Sequence, residues 1–159
     1  MNQNLSLLEY CIPCKAKCCK TSSLIGSPIL SYDEAFKIKK ISSEAIKEIT
    51  IPKGKKYYVI EEQKGTNKCF FLTNENNCRI QYTKPLDCLC YPIKAVYNKT
   101  IKFVIDDNCP AAKHLTNDFI TNAKSVALES IKRFDEQTCD HWLENFDIWA
   151  SKKYKPRII

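Results

Sequence analysis

Glycine is scarce in this chain: three residues, Gly26, Gly54 and Gly65, in 159. Their wide separation excludes glycine-rich phosphate loops such as Walker A or GxGxxG. Two histidines, His114 and His141, are too few for a His-rich metal site and make a Ser-His-Asp triad improbable. Arginine is also scarce, three of 25 cationic side chains, whereas nucleic-acid readers lean on arginine for bidentate contacts. No stretch approaches the roughly 18 apolar residues of a membrane span. The segment 1–9 lacks the basic start and long apolar core of a signal peptide. A cytoplasmic location, with neither membrane nor nucleic acid as partner, is the expectation. The formal charge of +7 then reads as a solvated lysine-rich surface.

What is abundant is cysteine, ten residues: Cys11, Cys14, Cys18, Cys19, Cys69, Cys78, Cys88, Cys90, Cys109 and Cys139. Four fall within 10–20, a stretch with no hydrophobic period, so something other than a core must organise it. Cys11 and Cys14 have the spacing at which one turn presents two thiolates to one metal. Adjacent residues point in different directions, so the Cys18–Cys19 pair suggests two metals, a multinuclear centre or a spare thiol. Cys69, Cys78, Cys88 and Cys109 sit at predicted strand ends and turns that can converge on this loop. Thiolates select zinc and iron–sulfur clusters. Structural disulfides are the competing reading, disfavoured without a secretory signal. Inert buried thiols are a third reading, which nine cysteines in one ordinary core make poor. A second CxxC or an HxxxH, as zinc fingers carry, is absent. Cys109-Pro110 is a weak echo of the ferredoxin Cys-Pro. Asp87, Asp106 and Asp107 are further candidate ligands.

The pattern elsewhere is α+β. Ser31 and Glu34 form a capping box for a helix over 32–41, and 43–49 could add a helical turn or two. Residues 56–62 and 69–73 read as strands. A helical turn follows Pro85, and 93–97 with 101–105 form a hairpin. Beyond Thr116 the period becomes helical, with apolar Phe119, Ile120, Ala123, Val126, Ala127, Ile131 and Phe134 on one stripe. Cys139, Trp142, Leu143, Phe146, Trp149 and Ala150 make a second stripe. Nine of the ten cysteines precede residue 112. The predicted organisation is a small cysteine-ligated core with short antiparallel strands over 1–112. A C-terminal helical hairpin over 113–159 packs on it, or recruits a protein partner.

Cys11-Ile-Pro-Cys14-Lys-Ala-Lys-Cys18-Cys19 resembles the CxxCxxxCC signature of the zinc- or iron-chelating cysteine-cluster family, the YkgJ-like proteins. Cys69-Phe-Phe-Leu72, Cys78-Arg-Ile-Gln-Tyr82, and Lys84-Pro85-Leu-Asp-Cys88-Leu-Cys90-Tyr91-Pro92 are similar to its later blocks, and Cys109 to its final cysteine. The likeness covers about residues 11–110. It departs at Lys84 and Leu89, where the family usually carries arginine, and at the extra Gln81. The resemblance implies eight metal ligands: Cys11, Cys14, Cys18, Cys19, Cys69, Cys78, Cys88 and Cys109. It leaves out Cys90 and Cys139, the latter a core thiol on its helical stripe. It implies a protein holding zinc or an iron–sulfur cluster. The alternative is an iron–sulfur oxidoreductase, or a protein-modifying enzyme like the flagellin lysine N-methylase that carries a similar motif. Whether the chain is an enzyme stays open; His114 is the acid–base candidate nearest the cysteines. Eight thiolates would take the formal +7 to −1, and two divalent ions would return it to +3.

Overall fold

The computed structural model describes residues 7–21, 27–98, 100–146 and 156–159. The fold is α+β: two three-stranded antiparallel sheets with helices packed on them. The first described element is one helical turn, α1 (Leu8–Cys11). Strand β1 (Ile29–Leu30) then leads into α2 (Tyr32–Ile41). Ser31 caps α2, its hydroxyl accepting the Glu34 amide while the Glu34 carboxylate accepts the Ser31 amide. Such a box satisfies two of the donors that a helix start leaves open.

Strands β2 (Ile46–Thr50) and β3 (Lys56–Ile60) complete the first sheet in the order β1-β3-β2. β3 is central and buried on both faces. Tyr58 and Ile60 join Leu30, Ala35, Ile38, Phe71 and Ile80 in one core. Tyr57 and Val59, on the opposite pleat, join Ile29, Ile51 and Trp142 in another. The expected helical turn over 43–49 is a 3₁₀ turn at Ser43–Ala45 followed by strand β2. Ile46 and Ile49 lie three residues apart and do not alternate as in a half-buried strand, so pairing along β3 decides it.

The segment 69–73 is not a strand either. It turns, holding single bridges Glu62–Cys69 and Leu72–Cys78. The one-turn helix α3 (Leu86–Leu89) follows Pro85. Strands β4 (Ile93–Asn98) and β5 (Thr100–Ile105) pair as the expected hairpin. Helix α4 (Asn117–Ile131) starts at Thr116, whose hydroxyl accepts the Phe119 amide. Its stripe of Phe119, Ala123, Val126 and Ala127 packs with Ile93, Ile105 and Cys90. Helix α5 (Glu136–Phe146) places Trp142 on the back of the first sheet, the indole N–H donating to the Ser27 carbonyl at 3.1 Å. Strand β6 (Arg157–Ile158) closes the second sheet beside β5. The predicted apolar positions Trp149 and Ala150 lie outside the described residues. Among the described residues no helix is long and apolar enough to cross a membrane.

Candidate metal centre

Five separate stretches of chain bring eight cysteines to the walls of two adjoining cavities. The outer cavity, 370 Å³, is lined by Cys11, Cys14, Cys18, Cys88 and Cys109. The inner one, 90 Å³, is lined by Cys18, Cys19, Cys69, Cys78 and Cys88. Cys18 and Cys88 border both, so the thiols divide into three outer, three inner and two shared. Cys90 and Cys139 line neither cavity; they are 1% and 2% exposed, and Cys90 belongs to the core under β4.

Local structure explains each delivery. After α1 the chain reverses through Lys15 (φ 56°) and Ala16 (φ 47°). Left-handed backbone at a residue with a Cβ costs roughly 1–2 kcal/mol, yet this glycine-poor chain places two such residues together. The reversal closes on itself through the Ala16 amide, which donates to the Cys11 carbonyl at 2.9 Å. A 3₁₀ turn, Lys17–Cys19, then presents the vicinal pair. From there the loop zips onto the second cysteine segment. Cys69 N–H donates to the Cys19 carbonyl at 2.7 Å, and Thr21 N–H to Asn67 at 2.8 Å. The turn through Asn76, also left-handed at φ 62°, returns Cys78 alongside Leu72. Cys88 rides on α3, whose first amide, Leu86 N–H, donates to the Glu34 carboxylate at 2.8 Å. Asp87 accepts the Ile29 amide at 3.2 Å, tying the same turn to β1. Cys109 follows β5, its amide donating to the Asp106 carbonyl at 3.1 Å.

Burial dominates the acidity of these thiols. It pushes Cys69 up to about 12 and Cys109 to about 11. It also raises Cys11 and Cys78, and Cys88 well above the ordinary range. Cys18 is raised chiefly by its hydrogen bond with Cys19, with burial adding to it. The same bond lowers Cys19 to about 7, against desolvation and with help from Lys84 and Lys20. Three cysteines share a further feature: a backbone amide two residues on hydrogen-bonds the sulfur and favours its anion. The donors are Phe71 for Cys69, Ile80 for Cys78 and Ala111 for Cys109.

All ten cysteines are free thiols. Among the described residues no group of three or more His, Cys, Asp or Glu side chains is arranged to hold a metal ion. Three of the cavity thiols are hydrogen-bonded within the first loop: Cys14 Sγ donates to the Cys11 carbonyl at 3.3 Å, and Cys18 and Cys19 bond to each other. The aspartates have other work. Asp106, 1% exposed, accepts the Tyr91 hydroxyl at 2.7 Å and the Asn108 amide at 2.9 Å. Asp107 pairs with Arg157 at 2.9 Å. His114 stacks on Tyr10 with ring centroids 5.5 Å apart.

Two residues at the cavities escaped the sequence reading as site residues, Lys84 and Tyr91; both line the two cavities together. Their only sequence signal was their place in the block around Cys88 and Cys90. Comparison with known proteins gave no matching family model, no matching curated protein and no matching solved structure.

Proposed function

We propose that the chain is a metal-binding protein, holding zinc or an iron–sulfur cluster through up to eight thiolates. The residues are Cys11, Cys14, Cys18, Cys19, Cys69, Cys78, Cys88 and Cys109. The observation that carries the reading is the convergence of eight free thiols from five chain segments on two adjoining cavities. A hydrophobic core gains little from half-buried thiols; soft metals gain much. The likeness of the cysteine blocks to the cysteine-cluster family points the same way.

The donor set fits such a group by its chemistry. Loading requires the sulfurs to lose their protons and to turn toward a common point. Amides of Phe71, Ile80 and Ala111 already face sulfur atoms that would carry charge, as in thiolate sites generally. Structural zinc would supply on the order of 10–16 kcal/mol of folding free energy; an iron–sulfur cluster would supply electron transfer. The loop over residues 10–20 has few apolar anchors, Ala16 at 3% exposure among them, and gains most from such a tie.

The outer cavity favours a second reading, an iron–sulfur-dependent oxidoreductase or protein-modifying enzyme. Its 370 Å³ falls in the range of small-molecule sites, about 300–1,000 Å³. Visible absorption of anaerobically purified protein tests this second reading. Brown protein with broad sulfur-to-iron bands keeps the enzyme reading; colourless protein with stoichiometric zinc removes it.

A further inference from the structure

Four residues border both cavities: Cys18, Lys84, Cys88 and Tyr91. Two are proposed ligands, and Tyr91 donates its hydroxyl to Asp106. Lys84 is the cation of the four. It is held there by local structure. The 3₁₀ turn Gln81–Thr83 ends at Lys84, whose backbone is extended (φ −56°, ψ 140°) because Pro85 follows. Its Cα is thereby fixed one residue before the turn that carries Cys88.

The other lysines at the cavities differ from it. Lys20 donates to the Lys15 carbonyl at 2.6 Å and to Asn76 at 3.3 Å. Lys94 lies over the Trp142 ring at 4.9 Å. Lys17 is exposed and borders the outer cavity alone. Lys84 is half-buried, and among the described residues no carboxylate pairs with it and no acceptor takes its protons. A half-buried ammonium without a counter-charge is costly unless a negative group arrives.

We propose that Lys84 is the internal counter-ion of the thiol centre, positioned at the junction of the two cavities to offset the negative charge that thiolate ligation builds in both. The inference rests on the metal-binding reading above. Four thiolates on one divalent ion carry a net charge of −2, and burying that charge uncompensated opposes binding. An ammonium has three donors and no free lone pair. It therefore acts on the sulfurs as a cation and not as a ligand. A point charge on a flexible stem serves sulfurs in several directions, which a planar guanidinium does less readily.

The test is anaerobic titration of the full chain with cobalt(II), read by its thiolate charge-transfer absorption, followed by zinc competition. Wild type, K84M, K84Q and K84R are compared at several pH values. K84M and K84Q are expected to bind at least about tenfold more weakly and to release metal at higher pH. K84R, which keeps the charge, is expected to stay within about threefold of wild type. Wild-type affinity and release pH in K84M and K84Q would overturn the role of Lys84 while leaving metal binding intact. So would a loss in K84R equal to that in K84M. A wild-type chain that binds neither ion overturns both readings.

Discussion

The amide of Cys69 donates to the carbonyl of Cys19 at 2.7 Å, so the backbone itself joins the first cysteine cluster to the second. The joint is braced by Gln63, whose side-chain amide donates to the Cys69 carbonyl at 3.0 Å and to the Leu72 carbonyl at 2.6 Å. Q63A leaves two partly buried carbonyls short of a donor. Its expected cost is about 1–3 kcal/mol in urea unfolding of the metal-free chain, with weaker metal binding besides. Unchanged unfolding would show that the turn over 69–78 holds without the brace.

Glu34 serves two elements. One carboxylate oxygen accepts the Ser31 amide and hydroxyl, each at 2.9 Å, and the other accepts Leu86 N–H at 2.8 Å at the start of α3. S31A removes a helix cap, worth about 1 kcal/mol. E34A removes the cap and unties the turn bearing Cys88, so about 2–3 kcal/mol is expected. Chemical denaturation of both variants checks the order. An E34A cost no larger than that of S31A would separate α2 from the site.

The thiols give the metal-free chain a pH signature. Cys11, Cys18, Cys69, Cys78, Cys88 and Cys109 are raised above their ordinary value of 9.0 by burial, or for Cys18 mainly by its bond to Cys19. The unfolded chain ionises first, so their contribution to stability is complete below 9 and falls as pH rises past it. Cys19, lowered to about 7, works oppositely. Its contribution is present above 9 and is lost as pH falls through 7. The summed thiol contribution therefore peaks near pH 9, and C19S removes the rise between 7 and 9. Thermal unfolding of chelator-treated protein across pH 6–11 measures both limbs.

Position within the fold separates the cavity thiols from the core thiols. C90A acts on a fully buried core thiol; it is expected to cost about 1 kcal/mol or slightly more and to leave metal content unchanged. C88A removes a thiol shared by both cavities and is expected to reduce the metal bound per chain. Equal metal content in the two variants would contradict the division of the ten cysteines.

Local chemistry was legible in the chain. The Ser31–Glu34 box starts a helix whose span, 32–41, follows from its own residues, and Thr116 starts α4 in the same way. Both signals depend on neighbours three or four residues away. The strand at 46–50 was hidden because Ile46 and Ile49 suit either a helix or a strand until β3 lies beside them. Residues 69–73 looked like a strand from Cys69-Phe-Phe-Leu72. In the structure they turn, held by the single bridges Glu62–Cys69 and Leu72–Cys78. The likeness to the cysteine-cluster family implies eight ligands and leaves out Cys90 and Cys139; the eight are the thiols that line the cavities. The place of Lys84 was not legible, since a cation's role depends on charges distant in sequence.

Elemental analysis of the anaerobically purified protein, with thiols counted on the same sample, tests the central claim most directly. The account predicts zinc, or iron with inorganic sulfide, at one equivalent per chain or more, with most of the eight wall thiols shielded until a chelator is added. Metal at background, with the eight wall thiols freely reactive before any chelator is added, would contradict it.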